Sequence, residues 1–318
     1  MTTGLSRVSF SQALHAEAAP TAAGPAIDDA EIVEAAQRMS LAGAGAASGM
    51  RLLSVLLDER LDLPGLAKLV SAQPGIALRV MRVANSAYYG HSGVVATVDR
   101  AAQVLGLTAL RGIAAAACFE GLTAPVAGSA TLDLAAFRNH SLAVACAAQA
   151  LAQRVAQEMA GEAFMAGLLH DIGLVVLWRL RPQSLLRHAA GRAGRGGLCV
   201  AAPQAAEQER LALGTTHAHC GRVALAAWHL PAGLVDAVAE HDLPAAAGDR
   251  PATAPLAALL RLADHLACAA GHAFDPDHVP VPPDERVLAQ HGITPEQLAE
   301  VAAALPDTVK RLCAVFED

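Results

Sequence analysis

Aromatic side chains are scarce in this 318-residue chain, at 3% of residues, and basic residues are outnumbered, with 23 Lys and Arg against 30 Asp and Glu. A formal net charge of -7 leaves no general cationic surface for a phosphate backbone, so no nucleic acid partner is expected. The six cysteines, at 118, 146, 199, 220, 268 and 313, form no CxxC and no close pair. Scattered among alanines, they read as small core residues of a reducing compartment rather than as a disulfide frame. Ala16-Glu17-Ala18 looks like a small-residue cleavage site but lacks the basic and apolar stretches that precede one in a signal peptide. Apolar runs such as Gly112 to Cys118 and Leu142 to Leu151 are short or bounded by charge and rich in alanine, so no membrane span is expected. These absences together predict a cytoplasmic protein.

What the chain does have is alanine, leucine and valine, which supply most of its 54% hydrophobic content. Alanine is the strongest helix former, and the expectation is an all-α helical bundle. Residues 1–27, without sustained periodicity, read as a flexible leader. Residues 28–122 read as an N-terminal helical subdomain, in which Asp62-Leu63-Pro64-Gly65 starts one helix, Thr97 caps another and Gly106 stops it. Thr123 to Ser129 is the internal boundary. A second helical set spans 130–270, and a C-terminal helical extension, 271–318, contains the helix start Thr294-Pro295-Glu296-Gln297. The Gly191 to Gly197 stretch, with Arg187, Arg192 and Arg195 in or beside it, reads as a solvated loop and lacks the Lys-Ser/Thr of a phosphate-binding loop.

Chemistry concentrates in Phe164-Met165-Ala166-Gly167-Leu168-Leu169-His170-Asp171-Ile172-Gly173, an apolar helical run ending in adjacent imidazole and carboxylate side chains. A lone pair of this kind is more often a satisfied buried polar pair than a metal site. The other polar residues set in apolar helices shift that balance: His140, His217, His241 and Asp264 each sit on a separate predicted helix, and a metal site in a helical bundle needs that distribution. A further cluster, Asn85 with Tyr88 and Tyr89, holds both tyrosines of the chain. It suits either loop stitching or a ligand or partner surface.

In order, these pieces resemble the HDOD family, signalling relatives of the HD metal-dependent phosphohydrolases. The resemblance rests on Arg82 to Gly90, Ala101 to Gly106, Phe137-Arg138-Asn139-His140-Ser141, Ala166 to Gly173, Glu209 to Gly214 with His217, and Trp228-His229-Leu230-Pro231. It covers roughly residues 50 to 270 and implies an all-α fold with an N-terminal subdomain packed on an HD-like subdomain. It also implies a bacterial regulatory role, non-catalytic, acting through a protein partner or a ligand. The alternative it carries is a metal-dependent phosphohydrolase or phosphodiesterase acting on a nucleotide. The HD pattern then implies metal ligation by His140, His170, Asp171 and Asp264, with His217 and His241 matching the extra histidines of the cyclic-dinucleotide branch and Fe, Mn, Zn or Mg as the ion. Leu174 stands where that branch commonly has lysine, Asp242 replaces the second histidine of its His-His pair, and its Gly-Tyr-Pro segment is absent.

Overall fold

The structure is a computed structural model, and it describes residues 26–41, 46–58, 60–86, 89, 94–124, 133–192, 203–242, 255–274 and 285–313. Among the described residues the fold is all-α, with no strand. The expected leader, apart from residues 26 and 27, lies outside the described residues, as do 193–197 of the expected loop and 125–129 of the expected boundary; Gly191 and Arg192, expected in that loop, instead end a helix.

The N-terminal half comprises α1 (Asp29–Leu41), α2 (Ala46–Leu56), α3 (Leu63–Ser71), α4 (Pro74–Ala84) and α5 (Val98–Leu122). Their starts follow local chemistry. The Asp62 carboxylate accepts from the Gly65 N–H at 2.9 Å, and Thr97 Oγ1 accepts from the Arg100 N–H at 3.2 Å. Gly106, with φ 75°, breaks α5 into two segments at the predicted stop. Helices α2, α3 and α4 all pack on α5, burying Leu53, Leu66, Val80 and Ile113.

The second half holds α6 (Leu134–Val155), a 3-10 turn (Gln157–Met159), α7 (Ala160–Leu169), α8 (Ile172–Leu180), α9 (Pro182–Arg192), α10 (Pro203–Leu213), α11 (His217–Ala227), α12 (Ala232–Glu240) and α13 (Pro255–Ala269). Two further helices, α14 (Glu285–Gln290) and α15 (Pro295–Cys313), follow, and α15 packs on α6 and α13. The Thr294 start is a reciprocal cap: Gln297 N–H donates to Thr294 Oγ1 at 3.2 Å and Thr294 N–H to Gln297 Oε1 at 2.9 Å.

Arginines join the halves. Arg138 on α6 donates to the Thr123 carbonyl at 2.9 Å, and Arg179 on α8 donates to Leu122 and Ala124 carbonyls at 3.2 Å each. Both therefore satisfy orphan carbonyls at the C-terminal, negative end of α5. Helix α1 also packs on α8 and α11, where Trp228 Nε1–H donates to the Ala36 carbonyl at 3.1 Å. Two stretches, Val98–Leu122 and Gln157–Leu180, are long and apolar enough by length and composition to cross a membrane. Their most apolar windows are 61% and 89% buried against other helices, which accounts for that apolarity by core packing.

Candidate metal centre

Two His-Asp dipeptides end helices in the same way. His170 follows α7 and His241 follows α12, and each ring turns back on the last helical turn. His170 Nδ1 bonds the Gly167 carbonyl at 2.8 Å, and His241 Nδ1 bonds the Val238 carbonyl at 2.6 Å. Those carbonyls would otherwise be orphans of the helix C-terminus. His140, in the middle of α6, places Nδ1 3.0 Å from the His272 carbonyl, and His217, in the first turn of α11, places Nδ1 2.9 Å from a Glu209 carboxylate oxygen. Carbonyls only accept, so the Nδ1 of His140, His170 and His241 must carry hydrogen; an ionised Glu209 requires the same of His217. All four Nε2 atoms then point their lone pairs inward.

They converge on Asp171, which is 3% exposed. Its Oδ2 faces His170 Nε2 at 3.3 Å and His140 Nε2 at 3.8 Å, and Asp264 Oδ1 lies 3.4 Å from His140 Nε2. Its Oδ1 faces His241 Nε2 at 3.4 Å and His217 Nε2 at 3.5 Å, with Asp242 2.8 Å from His217 and 3.3 Å from His241. Asp171 thus stands between two donor sets, one with His140, His170 and Asp264 and one with His217, His241 and Asp242.

The donor set fits divalent cations. Ligand bonds near 2.1 Å at tetrahedral or octahedral angles separate neighbouring donors by about 3.0–3.4 Å. The His140–His170 and His217–His241 Nε2 pairs are 3.3 and 3.4 Å apart. Two lone pairs held at that distance repel unless a proton or a metal ion lies between them. The His140, His170, Asp264 group and the His217, His241, Asp242 group each keep their donor atoms within 4.8 Å of one another, so each can hold an ion. Hard carboxylate with imidazole suits first-row divalent ions.

Protons stand in when metal is absent. Burial disfavours a charge on His170, but the Asp171 carboxylate beside it overrides this and raises its pKa to about 9. His217 is likewise raised well above the usual imidazole range against burial, by Glu209 and Asp242. Burial opposes ionisation of Asp171 and Asp242, yet the neighbouring histidines hold Asp171 well below the carboxylate range and Asp242 at about 2. His140 is lowered, chiefly by burial. A histidine whose folded pKa is raised contributes stability that is complete below about pH 6.5 and is lost as pH rises through the folded value. Chelated protein is therefore expected to lose urea resistance as pH climbs toward about 9. Metal-loaded protein should show the opposite slope near neutrality, because cations compete with those protons. Urea midpoints across that range, with and without chelator, check both signs.

The structure brings together all six residues expected as ligands, sets beside them Asp242, the carboxylate that stands in place of a histidine and could still bind metal, and adds Glu209, whose role the sequence did not make plain. Asp242 lies in the same position relative to His241 as Asp171 does to His170. Glu209, on α10, orients His217. Glu209→Gln is expected to weaken the His217-side cation about 10–100-fold while leaving the other, as metal titrations would read. Asn85 is engaged elsewhere: its amide donates to the Met81 and Val95 carbonyls at 2.8 and 2.9 Å and accepts from the Val95 N–H at 2.7 Å. Tyr89 is half-buried against the core, and Tyr88 lies outside the described residues.

An all-helical fold with buried histidines and carboxylates converging at the ends of four helices and the middles of two more defines an HD-like class of protein. The chain belongs to the HDOD family, whose model matches residues 46–244 and so stops short of Asp264. No curated protein matches it. Among solved structures, an HDOD domain protein of unknown function from Geobacter sulfurreducens aligns at 20% identity and a TM-score of 0.66, covering 91% of this chain and 99% of that one. A protein from Shewanella amazonensis SB2B, provisionally named a phosphohydrolase, aligns at 24% and 0.64 over 90% and 97% of the two chains. One from Marinobacter aquaeolei VT8, provisionally named a signal transduction protein, aligns at 18% and 0.67 over 92% and 69%. At these identities the likeness establishes the shared fold.

Proposed function

We propose that this chain is a metal-dependent regulatory protein of bacteria whose centre holds two divalent cations and hydrolyses a phosphoester. The observation that carries the reading is Asp171, which offers one oxygen to each donor set while every histidine around it is locked in the tautomer that ligation needs. Bound divalent cations would acidify a water at neutral pH and offset charge on phosphoryl oxygens. The chain's own contribution is orientation. The Gly167, Val238 and His272 carbonyls and the Glu209 carboxylate fix the four rings, and the Asp171 carboxylate spaces the two sets. Asp242 and Asp264, with side chains 28% and 22% exposed, are the most exposed of the donors and so the side from which a phosphoester would approach.

A second reading keeps the metal but not the turnover: a signalling module that answers to a protein partner or a nucleotide ligand in the cytoplasm. It is favoured by Leu174, which is 2% exposed and offers a phosphate no charge. One experiment separates the two. Protein purified without chelator is analysed for metal and then assayed, with added Mn or Fe, on p-nitrophenyl phosphate, bis-p-nitrophenyl phosphate and cyclic dinucleotides. Bound metal together with turnover that vanishes in Asp171→Asn supports hydrolysis. Bound metal without turnover on any of these leaves the signalling reading, and protein that takes up no added metal sinks both.

A further inference from the structure

Away from the metal ligands, a cavity of about 240 Å³ opens where α5 of the N-terminal half meets α6, the 3-10 turn and α7 of the second half. None of the metal donors lines it. Its walls are polar in an unusual way. Gln149, Gln153 and Gln157 present three amides at four-residue spacing, Arg111 contributes a guanidinium, Glu158 a carboxylate, and Phe164, only 3% exposed, an apolar floor. Arg111 is held from behind: its Nη2 donates to the Asp58 and Leu61 carbonyls at 3.2 and 3.1 Å. Its Nε–H is cut off from solvent and meets no acceptor among the described residues. Gly161 also lines the cavity, in the first turn of α7, whose N-cap residue Met159 provides no side-chain cap.

We infer that this junction cavity is a binding site for a small zwitterion of the size of a free α-amino acid, distinct from the metal centre. Size argues against a nucleotide, since pockets for drug-sized ligands begin at about 300 Å³. Charge argues against a phosphate dianion: one guanidinium is balanced by one carboxylate, and the remaining polar side chains, three amides and the Thr108 hydroxyl, are neutral. A carboxylate pairs with the Arg111 guanidinium through Nη1, which lies beside Gly161 of the cavity wall, an ammonium is complementary to Glu158, and the glutamines read a side chain lying over Phe164. Six residues beyond Phe164, the same chain segment reaches His170, so the bound molecule would press on the helix that ends in the metal centre. Binding itself needs no metal, and its failure would leave the metal reading intact.

The test is thermal denaturation of the full chain, in chelator and again with Mn, against each of the twenty α-amino acids, with inorganic phosphate and succinate alongside. One or a few amino acids are expected to raise the melting temperature in both conditions, with calorimetry giving the affinity. Arg111→Gln should weaken that binding at least tenfold. Because Arg111 also braces the 58–61 turn, Gln153→Trp, an exposed position on the cavity rim, provides a variant that blocks the cavity without touching the brace and should weaken binding as much. Circular dichroism checks folding of both. No shift with any amino acid at millimolar concentration overturns the inference, as does an undiminished shift in Gln153→Trp. Protection by phosphate or succinate equal to that by the amino acid overturns the zwitterion assignment.

Discussion

Replacing Asp171 by alanine is expected to empty both metal positions at once, whereas Asp264→Ala should empty only the one shared with His140 and His170. The asymmetry follows from geometry. Asp171 Oδ2 lies 3.3 Å from His170 Nε2 and its Oδ1 3.4 Å from His241 Nε2, so one side chain completes two donor sets. Asp264 reaches one, with Oδ1 3.4 Å from His140 Nε2. Metal analysis after saturation and desalting reads the difference directly. Stability should move as well. In chelated protein the ionised Asp171 faces two histidines with raised pKa values, and removing one partner of a buried ion pair costs about 3–5 kcal/mol unless the remaining charges neutralise. The variant is therefore expected to unfold at lower urea in chelator and to lose the stabilisation that added Mn gives the unaltered chain. If Asp171→Ala retained two ions, the shared-carboxylate arrangement would be wrong.

How far the sequence reaches depends on the range of the interaction. Helix starts at Asp62, Thr97 and Thr294 were legible because the capping group and its N–H partner are three residues apart, and the Gly106 break because only its own φ is involved. The six candidate ligand positions, which the fold brings together, were legible as polar residues stranded in apolar helices, and the family resemblance ordered them. Illegible were the partners that fix the rings. Glu209 meets His217 only across the turn at Gly214, with φ 80°, that joins α10 to α11, and the His272 carbonyl reaches His140 across 132 residues. No periodicity marks either. Helix α6 stops at Val155, where Ala156 leaves the helical region at φ -158° and ψ 66° and a 3-10 turn redirects the chain into α7. That turn forms part of the junction cavity's wall.

Gly173 is expected to be the least replaceable residue outside the ligands, although it carries no chemistry. A Cβ built on it would lie 1.9 Å from the His217 carbonyl oxygen and 2.7 Å from the Gly221 N, both backbone atoms that cannot swing aside as a side chain would. Its φ is helical, so the glycine is there for space and not for conformational freedom. The contact is what seats the start of α8, with Asp171 just before it, against the start of α11, with His217 in its first turn. A Cβ must push those two backbones apart, and separation of about an ångström breaks the Asp171–His217 approach of 3.5 Å. Overpacking in well-packed cores costs about 1–3 kcal/mol and more where backbone must move, so Gly173→Ala should cost about 3 kcal/mol or more in urea unfolding. It should also weaken the cation on the His217 side more than the one held by His140, His170 and Asp264. Gly167 supplies the control, since its Cβ would strike Ala145 Cα at 2.6 Å on α6 and so separates α7 from the helix that carries His140. Gly167→Ala should therefore reverse the order, weakening the His140-side cation first. Equal loss of both ions in the two variants would mean that they act through general unfolding, and not through the two helix crossings that build the centre.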